Sequence, residues 1–273
     1  TYQYDAQGRG VLSEHAGGAG RVTLSYGQSG LQTQVQDALG GVRNIQVVDV
    51  AGVLKLSSQS QPAGSGCSAS TQAQTYDPNG NVASKDDFNG NRVCYVHDLA
   101  RNLEAVRLEG LPAGASCALT ADNGALPTGT RKTSTRWHPD WSLRTRVAEP
   151  GRITTSVYNG QPDPFANNAA ASCAPPSAVL PDGKPIAVLC RQVEQATTDS
   201  DGAQGFAATV QAGVPARTQS WTYNAFGQKL TETDALGRTT QYVYYADTSF
   251  NGTGPAAVGH TLGDMAQVVN PAG

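Results

Sequence analysis

The sequence predicts an all-β fold, an antiparallel meander of hairpins forming a curved sheet, and three observations carry that prediction. A short word made of an aromatic, then Asp or Asn, then Gly four residues after the aromatic recurs at a near-fixed spacing. The runs between these words alternate apolar with polar residues. The composition is turn-rich, with 31 Gly and 15 Pro in 273 residues against 38% hydrophobic and 15% charged residues, a β-type profile.

The clearest copies of the word are "YDAQGRGVLSE" from Tyr4, "YDPNGNVASKDDFNGNRVCYVHDLARN" from Tyr76 and "YNAFGQKLTETDALGRTTQYVYYAD" from Tyr223. Worn copies occur at Tyr26, Val48, His97, Trp137 and Tyr158. Tyr4 to Tyr26 and Tyr26 to Val48 are 22 residues; Tyr76 to His97, Trp137 to Tyr158 and Tyr223 to Tyr244 are 21. A unit copied at this period is one that cannot bury its own apolar face alone.

Each word encodes a turn. Asp accepts hydrogen bonds from the turn backbone, and Gly supplies the positive φ that a side chain disfavours. Turn residues are therefore expected at Asp5 and Gly8, Asp77 and Gly80, Asp87 and Gly90, Asn224 and Gly227, and Asp234 and Gly237, with Tyr4, Tyr76 and Tyr223 as their aromatics. The flanking runs "NRVCYVHD" (Asn91 to Asp98) and "RTTQYVYY" (Arg238 to Tyr245) have the period of two that puts one strand face inside and the other in water. Subtracting two turns from a unit leaves two strands of ordinary length.

This phased word resembles the YD repeat of bacterial Rhs proteins, related to the β-shells of toxin complexes and teneurins. The resemblance covers Thr1 to Thr248 and implies a sheet that spirals into a hollow shell enclosing a C-terminal toxin or other cargo. Residues 1–273 are then a single β-sheet segment of a longer polypeptide, with the opening residues falling inside a repeat. Rhs proteins also carry a DPxGL self-cleavage signature near their C-terminus. Asp77 to Gly80 is similar, but Asn81 stands at the Leu position, and no self-processing is expected.

The beat is interrupted from His97 to Trp137 and from Tyr158 to Tyr223. The second gap holds "NGQPDPFANNAAASCAPPSAVLPDGKP". Text this rich in Pro cannot donate a full ladder of backbone bonds, so 159–185 is expected as a loop insertion at the outer or rim surface. "IAVLCRQVEQATT" (Ile186 to Thr198) reads as a strand rejoining the sheet, and "HAGGAGR" (His15 to Arg21) as a hairpin loop.

Of five cysteines, Cys173 and Cys190 bracket the Pro-rich insertion, and a disulfide between them would close it. Cys67 and Cys117, before the first and after the fourth strand of a meander from Gln72, form the second candidate pair. Cys94 is then left as a small buried hydrophobe. Disulfides imply an oxidising compartment, secreted or cell-surface.

A net charge of -3 offers no field to hold a nucleic-acid backbone, and no apolar run reaches the length of a membrane span. His15, His97, His138 and His260 lack metal or triad spacing, and packing is the better reading of His97 and His138. Asp86 and Asp87 point to opposite faces of a strand, and the Asp199 and Asp201 loop lacks the remaining ligands of an EF-hand. No nucleophile or phosphate motif is present, so neither catalysis nor a cofactor is expected. Tyr242 and Tyr244, and Trp137 with Trp141, are candidates for glycan stacking, although sheet-core packing is the better reading of them. "NGT" at Asn251 fits a glycosylation acceptor.

The function expected is that of a non-enzymatic wall, whose end strands expose unpaired N–H and C=O groups. Its partners would be the remainder of its own polypeptide, enclosed cargo, or copies of itself. Two alternatives stand beside it: an end-to-end extracellular filament, and a glycan-binding adhesin.

Overall fold

The computed structural model describes residues 1–120, 124–251 and 258–271. It is all-β, and the described residues contain no α-helix. The strands are β1 (Tyr2–Tyr4), β2 (Gly10–Ser13), β3 (Val22–Tyr26), β4 (Gln32–Gln36), β5 (Val42–Val50), β6 (Val53–Gln61), β7 (Ser70–Tyr76), β8 (Val82–Asp86), β9 (Asn91–Asp98), β10 (Leu103–Pro112) and β11 (Arg131–Trp137). They continue with β12 (Arg144–Glu149), β13 (Arg152–Tyr158), β14 (Pro162–Asp163), β15 (Ala169–Ala170), β16 (Leu189–Ala196), β17 (Arg217–Tyr223), β18 (Lys229–Thr233), β19 (Thr239–Tyr244), β20 (Ser249–Asn251), β21 (Val258–His260) and β22 (Met265–Val269).

Eighteen strands belong to one antiparallel sheet, and the short hairpins β14–β15 and β20–β21 stand apart from it. Pairing follows chain order: β1 with β2, β2 with β3, and so on to β10 with β11. From β12 the order is β13, β16, β17, β18, β19 and β22. This is a meander, the arrangement that short turns between alternating runs produce. "HAGGAGR" contains a single 3-10 turn at Ala16–Gly18 between β2 and β3.

Contacts divide the chain into two compact units, Thr1–Ser134 with Ser200–Ala207, and Thr135–Asp199 with Ala208–Gly273. In the first, Cys94, Leu108 and Leu111 form a small buried cluster flanked by Ala115, Cys117 and Leu126. The segment Ser200–Ala207 is fixed to β11: Lys132 is fully buried, its backbone N–H donates to the Asp201 carbonyl at 2.8 Å, and its Nζ donates to the Ala203 carbonyl at 3.0 Å.

In the second unit β13 alternates, with Ile153, Thr155 and Val157 buried. The insertion 159–185 is tied down rather than loose. Asn159 donates its backbone N–H to the Val188 carbonyl and its Nδ2 to the Ile186 carbonyl, while its Oδ1 accepts the Cys173 N–H. Ala174 and Ala178 are buried, and Asp163, also buried, meets Arg191 of β16 at 2.9 Å. One asparagine thus gathers both ends of the insertion, a role the Pro-rich text hides. Ile186 to Val188 belong to this clasp, and the strand begins only at Leu189.

Cys173 and Cys190 are bonded. The second disulfide is Cys94–Cys117, and Cys67 is free and exposed, which corrects the expected pairing of Cys67 with Cys117. Both ends of that expected pair do follow the same rim of a four-strand meander, but three strand spacings lie between β7 and β10. That is roughly 14 Å sideways, beyond the reach of a disulfide. Cys94 lies in β9 opposite Leu108 of β10, the strand from which Cys117 follows, and so takes the bond.

Candidate functional site

The repeated word folds into one repeated device. At Asp5, Asp37, Asp77, Asp87, Asn224 and Asp234 the side-chain Oδ1 accepts the backbone N–H groups two and four residues ahead, at 2.8 to 3.0 Å. The Gly at the fourth place, Gly8, Gly40, Gly80, Gly90, Gly227 or Gly237, has φ between 75° and 83°. Its N–H returns to the carbonyl of the leading Asp or Asn. The second carboxylate oxygen takes the residue that closes the turn: Arg9 on Asp5, Asn81 on Asp77, Asn91 on Asp87 and Arg238 on Asp234. These bonds hold the carboxyls of Asp87 and Asp234 below the usual range, through Asn91 and Arg238 respectively. The turn at Asp37, written DALGG, forms without an aromatic before it, as do those at Asp87 and Asp234.

The aromatic has its own task. Six tyrosines, Tyr4, Tyr26, Tyr76, Tyr158, Tyr223 and Tyr244, are the last residues of their strands. Five of them donate the hydroxyl to a carbonyl of the preceding sheet strand: Tyr26 to Gly10 (2.8 Å), Tyr76 to Leu56 (2.6 Å), Tyr158 to Arg144 (3.2 Å), Tyr223 to Leu189 (3.0 Å) and Tyr244 to Lys229 (2.9 Å). Burial raises the hydroxyls of Tyr158 and Tyr223, which keeps them protonated as donors. The ladder slips by one residue at Tyr4, Tyr76, Tyr158, Tyr223 and Tyr244, a bulge that twists the strand end.

Cations complete the staple. The Arg9 guanidinium lies 4.3 Å from the Tyr26 ring centre, and Lys55 Nζ lies 5.3 Å from that of Tyr76 while donating to the Gly80 carbonyl. At these five tyrosines the aromatic thus binds the strand written before it.

Among the described residues β1 pairs only with β2, and β22 only with β19. Tyr2 and Tyr4 are 72% and 67% exposed, and all five residues of β22 are exposed.

The remaining aromatics separate. Tyr242 and Tyr244 share one face of β19 and are half-buried; the Tyr244 hydroxyl is taken by Lys229, whose Nζ lies 4.8 Å from the Tyr242 ring centre. Trp137 ends β11 with the Arg144 guanidinium 5.6 Å from its ring centre. Trp141 is 40% exposed in an apolar recess with Leu143, Leu180 and Ala187. A polar trough lined by Trp137, Arg144, Glu149, Arg152, Tyr158 and Gln192 shares Ser142 and Leu143 with that recess.

His97 lies 3.3 Å from Asp77, and His138 packs edge-on against Tyr158. Asp86 is buried and paired with Arg92 at 2.6 Å. Among the described residues no group of three or more His, Cys, Asp or Glu is placed to hold a metal ion, and no helix is long and apolar enough to cross a membrane. The acceptor word at Asn251 continues into Gly252 and Thr253, outside the described residues.

No protein-family model matches the chain, and no curated protein sequence does. Among solved structures it is similar to the TcdB2–TccC3 complex, at 12% identity and a TM-score of 0.30, over 99% of this chain and 16% of the other. It is likewise similar to a Photorhabdus luminescens Tc holotoxin pore, at 12% identity and a TM-score of 0.30, over 99% of this chain and 15% of the other. The chain thus spans about a sixth of the length of the structures it matches.

Proposed function

We propose that the chain is a non-enzymatic wall segment of a larger secreted shell of the Rhs/YD-repeat type, enclosing a toxin or other cargo. The observation that supports this reading is how the repeated residues are used. Asp or Asn with Gly closes six turns, and five strand-ending tyrosines fasten their strand to the one before, so the repeated residues serve backbone cohesion rather than a cleft. A wall built this way gains area with each copy and needs no new design. Two disulfides suit an oxidising compartment.

The partners under this reading are strands that continue the sheet at β1 and β22, from the rest of the same polypeptide or from a copy of it. Electron microscopy of the full-length polypeptide tests it. The expected image is a hollow body in which these strands run into further strands on both sides. An isolated domain with solvent along both edges removes the reading, and open fibres of stacked chains replace it with the filament.

A second reading rests on one observation, the exposed Trp141 ring beside a trough of Arg144, Glu149, Arg152 and Gln192. An aromatic platform next to planar polar groups suits a glycan. Glycan-array screening of the wild type and Trp141→Ala tests it: a hit lost in the variant supports an adhesin, and silence in both eliminates it.

A further inference from the structure

We infer that Asn89–Gly90 is a self-modification site, at which the Gly90 backbone nitrogen closes on the Asn89 side-chain amide and converts the asparagine to aspartyl and isoaspartyl forms. The inference goes beyond the wall reading and does not depend on it.

Three Asn-Gly pairs lie wholly within the described residues, at Asn79, Asn89 and Asn159. The pair is chemically suited to ring closure because glycine has no Cβ to obstruct its own nitrogen. The Asn side chain must also be able to turn toward that nitrogen, and the five-membered ring must have room. The fold decides which pair meets both conditions.

Asn79 and Asn159 are held. Asn79 Nδ2 donates to the Leu99 carbonyl at 2.6 Å and to Asn102 Oδ1 at 2.8 Å, and a carbon added at Gly80 would lie 3.1 Å from Lys55 Nζ. Asn159 is buried, its side chain is bonded to Ile186 and Cys173, and a carbon added at Gly160 would lie 2.9 Å from Pro185. The glycine N–H groups of both pairs are engaged, with the Asp77 carbonyl at 2.9 Å and the Ala171 carbonyl at 2.8 Å.

Asn89 differs on each count. It is exposed, and among the described residues its side chain has no hydrogen-bond partner. A carbon added at Gly90 meets nothing within 4 Å, and the Gly90 N–H reaches the Asp87 carbonyl at 3.2 Å, the longest of the three bonds.

In the reaction hydroxide removes the Gly90 N–H proton and the nitrogen bonds to Asn89 Cγ. The bond from Cγ to Nδ2 breaks, and that nitrogen leaves as ammonia with a proton from water. Water then opens the succinimide. Breaking the ring bond at Cγ gives aspartate, and breaking it at the main-chain carbonyl carbon gives isoaspartate; nothing is oxidised or reduced. The isoaspartyl product carries an extra backbone carbon in a turn whose Asp87 carboxylate holds the Asn89 and Asn91 N–H groups and whose Gly90 carbonyl accepts the Ala113 N–H at 2.9 Å.

The experiment incubates the folded full chain at mildly alkaline pH and follows its tryptic peptides by mass spectrometry, with an isoaspartyl methyltransferase marking the isoaspartyl product. The three pairs fall in three different tryptic peptides. Asn89 is expected to convert at least about tenfold faster than Asn79 or Asn159, because two side-chain hydrogen bonds must break at each of those. In urea the three rates should converge. Conversion of Asn79 or Asn159 as fast as Asn89 in the folded chain overturns the inference, as does an Asn89 that stays intact while the urea-unfolded chain converts. In the converted protein the Ala113 amide should lose exchange protection that Asn89→Asp, which adds the charge alone, retains. Equal protection in the two overturns the isoaspartyl product.

Discussion

The Tyr76 hydroxyl stands 2.6 Å from the Leu56 carbonyl on the neighbouring strand, the shortest of the five tyrosine contacts that fasten a turn to the strand before it. Removing one such bond and leaving its carbonyl partly buried costs about 1 kcal/mol. Tyr76→Phe is therefore expected to lower the melting temperature by about 3 °C for a chain of this size. Tyr4→Phe removes a hydroxyl with no such bond and should leave the melting temperature unchanged. Parallel thermal melts check both, and an equal loss in the two variants contradicts the staple.

Two glycines with nearly the same φ should differ sharply in cost. A Cβ at Gly90 (φ 81°) meets nothing within 4 Å, so Gly90→Ala carries only the left-handed backbone penalty, about 1 kcal/mol. At Gly202 (φ 81°) the added carbon overlaps the carbonyl of fully buried Lys132. Gly202→Ala must push the 200–207 segment off β11 and is expected to cost on the order of 3 kcal/mol. Urea unfolding of both variants gives the comparison.

Thiol titration separates the observed disulfides from the pairing that sequence order suggests. With Cys94–Cys117 and Cys173–Cys190 closed, the native protein should release one equivalent of reactive thiol, from exposed Cys67, and Cys67→Ser should abolish it. A Cys67–Cys117 bond would leave only the buried Cys94 thiol, unreactive until unfolding. Cys117→Ser opens a loop of 23 residues' separation and should destabilise the protein by about 3 kcal/mol.

What the sequence made legible follows from what is local. The turns at Asp5, Asp77, Asp87, Asn224 and Asp234 are complete within five residues, so spacing alone identified them, and chain-order pairing followed. The staple was invisible because Tyr76 and Leu56 are 20 residues apart, and nothing in either residue marks a hydroxyl-to-carbonyl bond across strands. The cysteine pairing is hidden for the same reason. Up-and-down order gives the rim on which a residue lies, but lateral distance across β7 to β10 decides which cysteines meet. In the sequence Asn159 opens a loop, whereas its bonds to Cys173 and Ile186 depend on a fold-back that Pro-rich text does not announce.

Acid should loosen the turns selectively. The Asp87 and Asp234 carboxyls titrate below the ordinary range because Asn91 and Arg238 bind their ionised forms. A folded pKa below the unfolded one stabilises the folded state above the unfolded pKa, and that contribution is lost as pH falls through the folded value. The Asn91 and Arg238 amides, which donate to these carboxylates, should therefore lose exchange protection as pH drops below about 4. The turn at Asn224 is an internal control, since an amide oxygen holds the Gln228 N–H there at 3.0 Å and no carboxylate titrates. Amide exchange by NMR, corrected for intrinsic rates, should show Gln228 flat across the window in which Asn91 and Arg238 fall. Asp234→Asn should flatten Arg238 as well, because only the charge of the acceptor, and not the shape of the turn, distinguishes the two sites.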